Sequence, residues 1–165
     1  MHKPIRKAAW IAACLFALHQ GIAYAADDKD ALAGLKEAKI AFDIHEGDPK
    51  ALLNRLNVIE ETRQSLIAQG VKPHFVLAFR GPATRLLQTD AEKMKPEHRD
   101  QAAKVAEKVK QMSAAEGIER FEQCAIAARG QGTKVENVLP EIKVVGNGFI
   151  SLMAYQARGY AYIAP

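Results

Sequence analysis

Five short apolar runs, each bounded by turn-forming residues and separated by helix-periodic stretches, place the strongest constraint on what this chain can fold into. Ala38–Ile44 reads as a buried strand, and His45-Glu46-Gly47-Asp48 turns it at once into Pro49. Asp at an N-cap with Pro at the first helical position marks a helix start. Leu52, Leu53, Leu56, Ile59, Leu66 and Ile67 then recur at helical spacing until Gly70. Pro73–Phe79 is the second strand, after which Arg80-Gly81-Pro82 turns into a short helix near Thr84–Leu87. Pro96 opens an amphipathic helix with Ala102, Val105, Val109 and Met112 along one side, closed by Gly117. Ile118–Gln123 is a third strand, predicted to be very short because Glu119, Arg120 and Glu122 suit poorly a parallel strand buried on both faces. Ile142–Val145, a mostly apolar helix over Gly148–Ala157 and a last strand over Tyr160–Ile163 complete the pattern.

Strands alternating with helices imply a three-layer α/β/α sandwich around a mostly parallel five-stranded sheet, since each crossover helix must pack its apolar stripe on the sheet. No second domain, internal repeat or low-complexity linker interrupts the pattern. In such sheets ligands collect in the crevice beyond the carboxyl ends of the strands. His45, Arg80, Cys124 and Asn147 all fall at or just after strand ends, so they belong on one edge of the sheet, with strand order deciding how closely they converge.

The first 25 residues read as a signal peptide, with a basic start (Lys3, Arg6, Lys7), an apolar stretch from Ala8 to Leu18 and Ala23-Tyr24-Ala25 as a small-x-small cleavage site. The apolar stretch falls short of the roughly 20 residues a membrane-spanning helix needs. Ile11-Ala12-Ala13-Cys14 has the outline of a lipoprotein box, but only Ala8–Ala13 precedes the cysteine as an apolar region. The expectation is a mature, periplasmic domain over 26–165. Cleavage leaves 140 residues, removes three of the 23 basic side chains, and sets 20 Lys+Arg against 19 Asp+Glu. A near-neutral domain gives no electrostatic ground for a nucleic acid or an anionic membrane as partner. One remaining cysteine excludes a disulfide within the chain, so burial must hold the fold.

That cysteine, Cys124, sits where a strand gives way to the helix-favouring Ala125–Arg129. A helix N-terminus favours thiolate over thiol, which makes Cys124 a candidate reactive group. The alternative is a buried small hydrophobe, since free cysteine is among the most buried residue types. Arg80 is placed to hold an anionic sulfur species or to support the thiolate, or else is merely solvated at a strand end. His45, Glu46 and Asp48 carry metal-ligand chemistry, but no further motif completes a set of about four ligands, and an ordinary turn with Asp48 as cap accounts for them. Gly130-Gln131-Gly132 lacks the lysine of a phosphate loop and the spacing of a dinucleotide fingerprint, so no cofactor is expected.

The strand leading into Ile44-His45-Glu46-Gly47-Asp48, the Arg80-Gly81-Pro82 turn, Phe121-x-x-Cys124, and the tail from Val144-Val-Gly-Asn-Gly-Phe149 through Arg158-Gly-Tyr-Ala-Tyr-Ile-Ala-Pro165 resemble the DsrE/DsrF-like sulfur-relay family. The resemblance implies a flavodoxin-like α/β/α sandwich, assembly into homo-oligomers, and sulfur carried as a persulfide on a cysteine that maps to Cys124. Arg80, His45 and Asn147 then become candidate substrate-binding residues. Export would separate this chain from the cytosolic partners of such proteins, so neither sulfur donor nor acceptor is implied. Two readings stand. In one, Cys124 accepts and releases sulfane sulfur; in the other, the protein is a non-catalytic periplasmic binding or assembly module with a structural cysteine.

Overall fold

The computed structural model describes residues 27–165; the signal-like segment, its cleavage site and Cys14 lie outside the described residues. Five strands, β1 (Glu37–Ile44), β2 (Lys72–Phe79), β3 (Ile118–Cys124), β4 (Ile142–Val145) and β5 (Ala161–Ile163), form one sheet in the order β4-β3-β2-β1-β5, every neighbour parallel. The α-helices are α1 (Pro49–Ala68), α2 (Arg99–Ser113), α3 (Ala125–Gly130) and α4 (Gly148–Ala157). The chain steps from β1 to β4 in one direction, then returns across the sheet to place β5 beside β1. Right-handed crossovers therefore put α1 and α2 on one face and α4 on the other.

The two faces differ in kind because side chains alternate along each strand. Phe42, Ile44, Phe75, Leu77, Phe79, Phe121 and Ile142 point to the α1/α2 side and form the main core with Leu52, Leu56, Ile59, Val105, Val109 and Met112. Phe42 meets Phe75 edge to face at 5.1 Å, and Phe79 stacks on Phe121 at 6.0 Å. The opposite face carries Ala41, Val76 and Ala78, small enough for α4 to seat Leu152 and Tyr155 directly on the sheet.

The third strand fills the expected Ile118–Gln123 span and one residue more, in spite of its charges. It runs seven residues through the interior of the sheet. Its acidic side chains fall on the α4 face, where hydroxyls meet them: Glu122, 2% exposed, accepts from Tyr155 Oη at 3.0 Å and from Ser151 Oγ. A buried carboxylate supplied with donors is tolerated where an unpaired one is not. Gly117 makes the entry to this strand possible. Its φ of +82° suits glycine, and a Cβ there would lie 2.5 Å from Pro73 Cγ.

Candidate functional site

The carboxyl ends of β2, β3 and β4 meet at a cavity of about 280 Å³ with Cys124 at its floor. Arg80 and Gly81, after β2, form one wall; Asn147 and Phe149, after β4, form another, and Ile126 and Ala127 of α3 close the third. Strand order makes this convergence, because β3 lies between β2 and β4 and so sets Cys124 between Arg80 and Asn147.

Cys124 stands at the start of α3, as the sequence places it, but it is 6% exposed and turns its sulfur toward a different helix. It occupies the N-cap of α3 without capping it; its Sγ accepts a hydrogen bond at 3.2 Å from the N–H of Gly148, the first residue of α4. The positive end of α4 is thus the one that serves the sulfur. Asn147 starts that helix: its side-chain oxygen accepts from Phe149 N at 2.9 Å, while its amide N–H groups remain as donors for a ligand.

Gly148 is the joint of the site. A Cβ built on it would stand 2.7 Å from Arg80 Cδ and 3.1 Å from Cys124 Cβ, so the Arg80 stem and the cysteine are both packed against bare backbone. Beyond that stem, the Arg80 guanidinium is fixed along one edge and over one face. Its Nε donates to Asp43 Oδ1 at 2.7 Å, its Nη2 donates to Oδ2, and it lies 4.4 Å over the Phe149 ring.

Asp43 is 1% exposed, and Tyr162 Oη donates to it at 2.6 Å. Burial pushes the Asp43 carboxyl up, but the hydrogen bonds from Arg80 and Tyr162 outweigh it and hold the group below the usual carboxylate range. The same contacts hold the Arg80 guanidinium and the Tyr162 phenol above their ordinary values, Asp43 being the main cause for each.

The strand-end residues Arg80, Cys124 and Asn147 share one edge of the sheet and one cavity, and the structure adds Asp43 and Tyr162, which the strand-end pattern does not pick out. A signal for Asp43 was present: a lone carboxylate inside an apolar strand must be paired if buried. Its partners follow only from strand order, with Arg80 at the end of neighbouring β2 and Tyr162 on β5 paired to Ala41, two residues from Asp43. His45 is exposed on the far rim at the end of β1, beside Gly81, and does not line the Cys124 cavity. The His45 turn is structural: Asp48 caps α1 by accepting from Ala51 N at 2.8 Å, and Glu46 binds Arg55 at 2.7 Å. Among the described residues no group of three or more His, Cys, Asp or Glu side chains is placed to hold a metal ion. Nor is any described helix long and apolar enough to cross a membrane.

An uncharacterized protein of Aquifex aeolicus is 25% identical over 126 residues, which make up 76% of this chain and 55% of that protein, so the chain spans about half the length of this relative. A solved structure, a protein of unknown function from Methanobacterium thermoautotrophicum, matches with a TM-score of 0.60 over 78% of this chain and 99% of its own, at 21% identity. That likeness establishes the fold. The DsrE/DsrF-like family model matches residues 58–165, from within α1 to the last residue. The match takes in Arg80, Cys124, Asn147 and Tyr162, while Asp43 and His45 precede it. By this match, and by the α/β fold that carries it, the chain belongs to the DsrE/DsrF-like family.

Proposed function

We propose that this protein handles sulfur, with Cys124 as the thiol that carries it as a persulfide. The carrying observation is the Cys124 sulfur on the floor of a cavity of about 280 Å³, accepting an N–H from the start of α4 with Arg80 locked beside it. Backbone N–H groups and fixed dipoles aimed at a sulfur support the anionic form that attacks. In the step proposed, the Cys124 thiolate attacks the outer sulfur of a donor R–S–SH; a sulfur–sulfur bond forms, the donor's own breaks, and R–S⁻ leaves with the electron pair while the transferred sulfur keeps its proton. An acceptor thiolate reverses the exchange by attacking that outer sulfur.

One observation favours the second reading, a binding or assembly module with a structural cysteine: at 6% exposure, Cys124 is buried enough to be packing alone. The readings separate by intact mass after treatment with a sulfane-sulfur donor. The carrier gains sulfur that Cys124→Ser does not, and the variant stays folded. A thiol that reacts only after denaturation, with Cys124→Ser destabilised, leaves the module reading in place.

Two features of the setting belong to the same proposal. Export to the periplasm is supported by Lys3, Arg6 and Lys7, the short apolar run and Ala23-Tyr24-Ala25; N-terminal sequencing that found Met1 retained would reject it. Assembly into a homo-oligomer is supported by the outward side of α4, where Phe149, Ile150 and Met153 are exposed, continuous with Ile126 at the cavity. Closed symmetric assembly hides surplus apolar surface of this kind. Light scattering that found only monomer at micromolar concentration, roughly the range in which modest association constants are populated, would reject assembly.

A further inference from the structure

The Arg80 guanidinium that lines the Cys124 cavity brings no net charge to it. Two of its five N–H donors lie on the Asp43 carboxylate in the planar fork that arginine and carboxylate form, so the pair sums to zero. One face of the guanidinium is covered by the Phe149 ring. Asp43 itself is locked: 1% exposed, it takes a third hydrogen bond from Tyr162. Around the sulfur the remaining wall is Gly81, Ile126, Ala127, the ring of Phe149 and Asn147, whose side chain is polar but uncharged. An anion entering such a cavity gives up hydration and meets in return only neutral donors, the Asn147 amide and the start of α4, with no uncompensated side-chain cation. An uncharged reactant surrenders little hydration and gains apolar contact.

We propose that Asp43 is a specificity-determining residue of this pocket: by neutralising Arg80, it makes Cys124 react with uncharged sulfur compounds in preference to oxyanions such as thiosulfate. This rests on the reading of Cys124 as a reactive sulfur site, and it replaces the expectation that Arg80 itself holds an anionic sulfur species.

Alkylation reads the charge selection without requiring sulfur carriage. Iodoacetamide and iodoacetate deliver groups of similar size that differ in charge, so the ratio of their rates at Cys124, divided by the same ratio for a free cysteine peptide, isolates what the pocket does. The folded wild type is expected to favour the neutral reagent by about fivefold or more over the peptide, as desolvation of the carboxylate opposes the anionic one. Asp43→Asn leaves Arg80 as an uncompensated cation and should lower that ratio by about tenfold, the order of effect of a nearby unit charge in a partly buried site. Asp43→Asn combined with Arg80→Gln carries neither charge and should return the ratio to the wild-type side.

A wild-type ratio at or below that of the peptide overturns the proposal and needs no variant to fold. A folded Asp43→Asn with an unchanged ratio overturns it as well. The two readings fail separately. Neutral preference without sulfur uptake from any donor rejects the carrier and upholds the charge selection, whereas persulfide formed from thiosulfate as fast as from an alkyl hydropersulfide, at a pH low enough to keep the latter protonated and uncharged, rejects the selection and upholds the carrier.

Discussion

Replacing Gly148 by alanine tests whether the Arg80–Cys124 arrangement is as tightly jointed as its contacts imply. The added Cβ would fall 2.7 Å from Arg80 Cδ, 3.0 Å from Arg80 Cγ and 3.1 Å from Cys124 Cβ. At an open helical site the change would stabilise by up to about 1 kcal/mol, because alanine loses less backbone freedom on folding. Here the stem cannot swing aside, since Asp43 and Phe149 hold the guanidinium at its far end. Overpacking of this kind costs about 1–3 kcal/mol. With the full gain set against that cost, the balance is a net loss of up to about 2 kcal/mol, at roughly 2–4 °C in Tm for each kcal/mol at this chain length. Gly146→Ala is the internal control: its Cβ would meet nothing within 4 Å, so a change of less than about 0.5 kcal/mol is expected. Urea denaturation of both variants, with Cys124 alkylation followed in parallel, gives stability and site geometry together. Equal stabilities for the two variants, with the alkylation rate of Gly148→Ala unchanged, would refute the claim that Arg80 and Cys124 are jointed through bare backbone.

The Asp43 carboxyl is held below its unfolded value of about 3.9, so its contribution is fully present above that pH and is lost as pH falls through the lower folded value. Between pH 5 and pH 2 the wild type should therefore lose more stability in urea titrations than Asp43→Asn, and parallel curves would show that the pair is not coupled to folding. Gln123 is fully buried in the strand position before Cys124, and neither its amide oxygen nor its nitrogen finds a hydrogen-bond partner. Gln123→Met, of similar length, should raise stability by about 1–3 kcal/mol by removing that desolvation cost; a loss measured by thermal melting would mean that the amide is satisfied by bound water.

How much could be seen beforehand depended on whether the information was local. The Asp48-Pro49 start of α1, the 3.6-residue apolar spacing of α1 and α2, and the strand before each turn are written within windows of a few residues, and all appear where expected. Cys124 and Arg80 were legible for the same reason, as residues ending strands. What resisted was partnership between segments distant in sequence. Glu122 looked like evidence against a long strand because Ser151 and Tyr155, which supply its donors, lie 29 and 33 residues on. Asp43 and Tyr162 are 119 residues apart and meet only because β5 returns to the β1 edge.

That return of β5 also explains why the site has its particular electrostatics. Had the last strand joined the sheet beside β4, Asp43 would keep Arg80 but lose Tyr162, and the carboxylate would face its own desolvation with one partner fewer. Placed beside β1, the strand delivers a phenol to the buried carboxylate, the carboxylate fixes the arginine, and the arginine stem packs on the glycine whose N–H reaches the cysteine sulfur. Each link is a short contact between elements that the parallel sheet sets side by side. A change at the β5 edge should consequently be felt at Cys124 through Arg80, with no contact of its own to the sulfur.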